Sequence, residues 1–233
     1  MDKNESSGLF SRVLGGYSKK RIIKDYWGEK LQKCSAAHLH MFKLNDKTNE
    51  YLEKVGIPII RNNKYHIFSY FTDFKYQKVK DRMFAVFAEN YSGHIQIGIS
   101  LHNNEIDMLF PDTTGLDEAY YYYNKDIQTY IYCFTEMLKC KTKYPLLHCD
   151  YESYETNKQQ FLFAQELYQI IHTVDPKAVE CGSRWTLTLM EFAENALDYE
   201  DILSLVESKK YESFEDAIMA FISGEEKLDH TII

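Results

Sequence analysis

Between residues 95 and 102 the chain alternates strictly. Ile95, Ile97, Ile99 and Leu101 are apolar, and Gln96, Gly98, Ser100 and His102 are small or polar. A period of two belongs to a β-strand with one face in a core and the other facing polar surroundings. The runs Tyr65 to Phe68, Met83 to Phe87 and Glu105 to Phe110 share its β-branched and aromatic character. Polar breaks separate them, at Asn62-Asn63, at Asn90 to Gly93 and at His102 to Asn104. Short strands punctuated by turn residues predict an antiparallel meander, with a hairpin at Asn103-Asn104. Tyr120 to Tyr123 suits a further strand with two rings on each face, explained by β-propensity ahead of a ligand-stacking platform.

On both sides of this block the period lengthens. Ile22, Ile23, Tyr26, Trp27 and Leu31 form one helical stripe, and residues 19–54 read as helical. Asn45 or Asp46 is positioned to cap a short second helix, stopped by Gly56 and Pro58. After the sheet, Asn124 is placed to cap a helix through Ile127, Ile131, Phe134 and Leu138, and a second helix starts near Thr156. Asp175 is set to cap a short turn with Pro176 at its first position. Trp185 to Phe192 is strand or helix by periodicity alone. Two helices close the chain, Tyr199–Glu207 and Ser213–Phe221, the latter with a capping-box start at Ser213 to Asp216. Helix, antiparallel sheet and helices again predict an α+β fold: a central meander flanked by helices, with an extra helical C-terminal segment.

Charge is unevenly spread. The net −8 of the 233 residues sits at one end: residues 191–233 hold 12 acidic and 3 basic groups, while residues 1–190 are close to neutral. A nucleic-acid binder clusters Lys and Arg to neutralise phosphates, so this balance points instead to a basic protein partner. No run approaches the ~18 apolar residues of a membrane span, and MDKNESSGLF lacks a signal-peptide core. The expectation is a cytoplasmic protein with no membrane partner. Five cysteines (Cys34, Cys133, Cys140, Cys149, Cys181), odd in number and without CxxC spacing, read as reduced and mostly buried thiols.

Chemistry-bearing words are few. The chain has no Gly-rich phosphate loop, GxSxG elbow or HExxH, and Gly15-Gly16 reads as part of a flexible leader. His148-Cys149-Asp150 resembles half a metal site or a reactive thiol, but no second ligand pair stands at zinc spacing. His38 and His40 would share a face only on a strand, and read as a surface pair. The carboxylate pairs Asp107 with Asp112 and Glu152 with Glu155 read as solvated loop charges, and His172 as a hydrogen-bonded histidine at the core edge. The expectation is no catalytic residues, no metal and no cofactor.

One ordered set of residues carries a resemblance. Leu52 to Val55 is followed by Gly56-Ile57-Pro58, a meander, Asn124 and Phe134, then Asp175-Pro176-Lys177-Ala178, Trp185 and Met190-Glu191-Phe192. This order resembles the SUKH superfamily, most closely its SUKH-4 immunity-protein branch. There a GLP-like turn ends the first helix, an Asn precedes the helix after the sheet, and a DP-x-A stretch and a Trp close the domain. The resemblance covers roughly residues 40–195. It implies an N-terminal extension with a helix over 1–38, a SUKH-like domain over 39–195 and an acidic helical extension over 196–233. Gly56, Pro58, Asn124, Asp175, Pro176 and Trp185 then read as scaffold.

The functional expectation follows from the same resemblance. It implies a non-enzymatic immunity protein that binds and neutralises a cognate toxin, often a nuclease. The alternative is an intracellular adaptor or regulatory module without a toxin. The expected partner surface is the solvent-facing side of the sheet and its following loop: Glu105, Asp107, Asp112, Asp117, Glu118 and Tyr122. Five carboxylates fall within that stretch, and residues 103–124 contain no Lys or Arg. Glu194, Glu200, Asp201 and Glu207 of the acidic tail are the competing surface. Tyr supplies interface area at low entropic cost, and carboxylates pair with a nuclease's cations.

Overall fold

The computed structural model describes residues 18–60, 68–112, 119–148 and 153–227. It is an α+β fold built on a five-stranded antiparallel sheet, with a separate two-stranded pair formed by Leu31–Gln32 (β1) and Ile57–Pro58 (β2). The large sheet is the expected meander: β3 (Phe68–Val79), β4 (Arg82–Asn90), β5 (Gln96–Ser100), β6 (Ile106–Leu109) and β7 (Tyr120–Asn124). Each strand pairs with its neighbour in sequence. Tyr65 to Ile67 and Asn62-Asn63 lie outside the described residues.

The alternation at 95–102 places Ile97 and Ile99 in the main core, together with Ile106 and Met108 from β6. Val79, Phe84, Val86, Leu109 and Ala119 form a second, smaller cluster. The polar face expected of β5 is therefore buried as well: Ser100 is almost fully inaccessible. β3 is longer than its apolar run suggested. It is an edge strand, so polar Thr72, Asp73, Lys75 and Gln77 lie in it at little cost, and a bulge between Tyr70 and Lys75 breaks its period. The hairpin at Asn103-Asn104 forms where expected. Asn104 takes φ +62° and its side chain accepts from the Asn45 backbone N–H at 2.9 Å, tying the turn to the N-terminal helices.

The N-terminal region is less continuous than its stripe implied. α1 (Lys19–Trp27) ends at Gly28, β1 (Leu31–Gln32) follows, and α2 (Ala36–Leu39) and α3 (Asp46–Lys54) complete it. Asn45 caps α3, accepting from Thr48 N–H at 2.8 Å. Gly56 then turns the chain with φ +88°, so that Ile57 and Pro58 of β2 (Ile57–Pro58) pair with β1. A Cβ on Gly56 would lie 2.1 Å from the Gln32 carbonyl oxygen. Gly56→Ala therefore meets both φ strain and a backbone clash, and costs more than about 1 kcal/mol in a urea melt.

Helices cover the main-core face of the sheet. α4 (Ile127–Lys141) packs on α1, where Trp27 stacks on Phe134 at 6.1 Å and its Nε1–H donates to Thr135 Oγ1 at 2.8 Å. Asp126, not Asn124, caps α4, accepting from Thr129 N–H at 2.7 Å. α5 (Tyr154–Val174) and α6 (Arg184–Ala193) follow, so the ambiguous stretch from Trp185 is helical. α7 (Tyr199–Glu207) and α8 (Phe214–Ser223) match the two expected closing helices, with Ser213 and Asp216 exchanging hydrogen bonds at the start of α8. Ile202, Ala217, Ile218 and Phe221 join the main core, and Gln165 and Gln169 of α5 donate to the terminal carbonyls of Phe221 and Ser223. The acidic extension thus packs into the same core as residues 39–195. No helix among the described residues is long and apolar enough to cross a membrane.

Candidate binding site

Several residues singled out in the sequence converge where β7 ends. Ile106 pairs with Asn124 and Asp107 with Tyr122, leaving Tyr123 as the extra residue of a bulge. A bulge redirects side chains. Here Tyr123 and Asn124 both reach the helices, while Tyr122 stays opposite Asp107. Asn124 Oδ1 accepts from Trp185 Nε1–H at 3.0 Å, and its Nδ2 donates to Asp175 Oδ2 at 3.1 Å. Asp175 also accepts from the Tyr122 hydroxyl at 3.1 Å and from the Lys125 backbone N–H at 2.8 Å. Trp185 is fully buried, with its ring edge-on to Tyr123 at 5.1 Å.

Two corrections come with this network. Asn124 is a strand-end bridge and not a helix cap. Asp175 precedes the 3₁₀ turn Pro176–Val179, with Pro176 at its start, but makes no side-chain cap. Its carboxylate is committed to three donors from β7 and the residue after it. Burial, then the Asp175 charge, push the Tyr122 hydroxyl pKa up, which keeps it a donor. Asp175→Asn leaves one amide oxygen for these donors and costs about 2 kcal/mol. Tyr122→Phe removes one hydrogen bond and costs about 1 kcal/mol in the same denaturant melts.

The expected sheet-side surface fares differently residue by residue. Asp107 is 3 % exposed, so it is not a surface carboxylate. Its Oδ2 has no hydrogen-bond partner among the described residues, and burial, reinforced by Glu105, pushes its pKa up to about 7 against the pull of Arg82 and Lys177. Glu105 is tied to Lys177 at 2.8 Å, and the Lys177 ammonium lies 3.9 Å from the Tyr122 ring centroid. Glu105 and Tyr122 are therefore half-buried and engaged. Asp112 is exposed and meets His94 Nδ1 at 2.6 Å. Asp117 and Glu118 lie outside the described residues. Lys177, the cation that closes this cluster, was missed because a single Lys after Asp-Pro carries no signal of what it will face.

The competing acidic surface is better presented. Tyr199 opens α7 and Phe214 opens α8, and their rings stack at 5.6 Å with 61 % and 37 % exposure. Asp198 and Glu200 flank Tyr199, with Asp198 capping α7. Glu194, Glu200, Asp201, Glu207 and Glu212 are exposed and make no ion pair among the described residues. The aromatic pair was not foreseen. Its position at a capped helix start gave no signal of exposure, since Ile127 opens the capped helix α4 and is buried.

The remaining candidates do not assemble a site. His38 lies on α2 and His40 on the turn after it, so they do not share a face. The His38 ring is edge-on to Phe42 at 5.2 Å. His172 is exposed and stacks on Tyr168 at 5.5 Å, in place of the expected hydrogen bond. Cys34, Cys133 and Cys140 are buried free thiols, whereas Cys181 is exposed and donates to Asp216 at 2.7 Å. Cys149, Asp150 and Glu152 lie outside the described residues, as does the His148 side chain. Among the described residues no three His, Cys, Asp or Glu side chains gather to hold a metal. Comparisons with protein-family models, with curated proteins and with solved structures returned no significant match for this chain.

Proposed function

We propose that this chain is a cytoplasmic immunity protein, which binds a basic toxin domain and neutralises it without catalysing a reaction. The observation that carries the reading is the exposed Tyr199–Phe214 stack together with the exposed carboxylates Glu200, Asp201 and Glu207 of α7, which make no ion pair among the described residues. An aromatic anchor on an acidic helix is what a partner rich in Arg and Lys recognises: the rings supply buried area, and the charges speed encounter and exclude acidic competitors. The SUKH-like order of residues supports the same class. Asn124, Asp175 and Trp185, on which that resemblance rests, serve one structural purpose, holding the turn before α6 against the end of the sheet.

The test is co-expression with the toxin-like protein encoded beside this chain's gene. Neutralisation restores growth and the two proteins co-purify. Unrelieved killing without co-purification, across all neighbouring candidates, overturns the reading.

A further inference from the structure

A cavity of 190 Å³ opens between α4 and α6, lined by residues that take no part in the Asp175 network or the α7–α8 surface. Its sheet side is apolar, with Met108 of β6 and Tyr123 of β7, and Phe192 of α6 extends that lining. Three charged residues line it as well: Lys141 at the end of α4, and Arg184 and Glu191 of α6. Arg184 Nη1 approaches Glu191 at 3.3 Å, but its Nε–H is buried and has no hydrogen-bond partner among the described residues. The Lys141 ammonium lies 5.9 Å from the Phe192 ring centroid and makes no ion pair among the described residues. Burial lowers the Lys141 pKa, the mark of a cation short of both water and a counter-charge. Arg184 thus takes the one carboxylate of the lining, and Lys141 is left without a counter-charge beside an apolar space.

We propose that this cavity binds a small apolar carboxylate, its hydrocarbon body against Met108 and Tyr123 and its anionic end between Lys141 and Arg184. Charge complementarity selects the head group: a carboxylate supplies the missing counter-charge for Lys141 and a second anionic partner for the Arg184 guanidinium. Volume selects the body. An apolar cavity of about 150 Å³ accommodates benzene, so this one takes one ring with a short side arm or a chain of about eight carbons. The ligand is a free small molecule, and the proposal is independent of the protein-partner reading above.

Octanoate is the probe, with octanol and octylamine as matched controls, titrated into the full chain by calorimetry and by amide chemical-shift mapping. Octanoate binds saturably in the millimolar range or tighter, with shifts confined to residues around the α4–α6 cavity. Octanol binds about tenfold more weakly and octylamine does not saturate. Lys141→Met lowers octanoate affinity about tenfold and leaves octanol unchanged. Thr188→Phe, which fills the cavity from α6, abolishes binding of both. Lys141→Met alone decides the matter if the filled variant does not fold. Equal affinity for octanoate and octanol, no effect of Lys141→Met, shifts elsewhere, or no saturable octanoate binding would each overturn the proposal.

Discussion

Replacing Asp107 by Asn leaves stability near pH 4 almost unchanged and raises it by about 4 kcal/mol at pH 8. The reason is linkage. The Asp107 carboxyl has an unfolded value near the usual 3.8, and burial raises it to about 7 in the folded protein. Between these values the unfolded chain has released the proton while the folded one keeps it. Folding therefore binds a proton in that window, and stability falls as pH rises from about 4 to about 7, then levels off. Asn keeps the shape and never ionises, so its melts lack this slope. Urea denaturation of both proteins at pH 4, 6 and 8 measures it. A constant difference across the three would mean that Asp107 is solvated in the folded state.

The second large effect concerns binding. Tyr199→Ala combined with Lys at Glu200, Asp201 and Glu207 weakens a basic partner by about 100-fold or more. The ring supplies anchor area and the reversed charges turn attraction into repulsion. The association rate constant falls most, and its salt dependence, steep in the parent, flattens or changes sign between 50 and 300 mM. Glu200, Asp201 and Glu207 are exposed and make no ion pair among the described residues, and Tyr199 gives up only an exposed stack on Phe214, so the variant keeps its thermal midpoint within a few degrees. Asp112→Lys, which alters an exposed carboxylate paired with His94 and outside α7 and α8, serves as the control and leaves the rates close to those of the parent.

Much of the fold is legible because its signals are local. The period-two run at 95–102, the Asn-Asn hairpin, Gly56 and the Ser213 capping box each depend on neighbours a few residues away. The site is less legible because its determinants are not. One extra residue in β7 sends Asn124 inward to Trp185, 61 positions along the chain, and takes it away from the start of α4, which Asp126 caps instead. Asp107 reads as a surface charge from its acidic neighbourhood, yet β6 lies inside the sheet, between β5 and β7, and is buried along its length. Lys177 and Glu105 meet across 72 residues, a pairing that no spacing rule contains. Tyr199 and Phe214 each open a capped helix, but so does the buried Ile127, so their stack is set by the docking of α7 against α8 and not by helix starts.

Co-purification from cells that express this chain with each toxin-like candidate encoded near its gene tests the central claim most directly. The parent and Asp107→Asn both restore growth and recover the partner in stoichiometric amount. The variant with Tyr199→Ala and Lys at Glu200, Asp201 and Glu207 folds, yet neither protects nor recovers it. Full protection and recovery by that variant would contradict the assignment of the α7–α8 surface as the partner site.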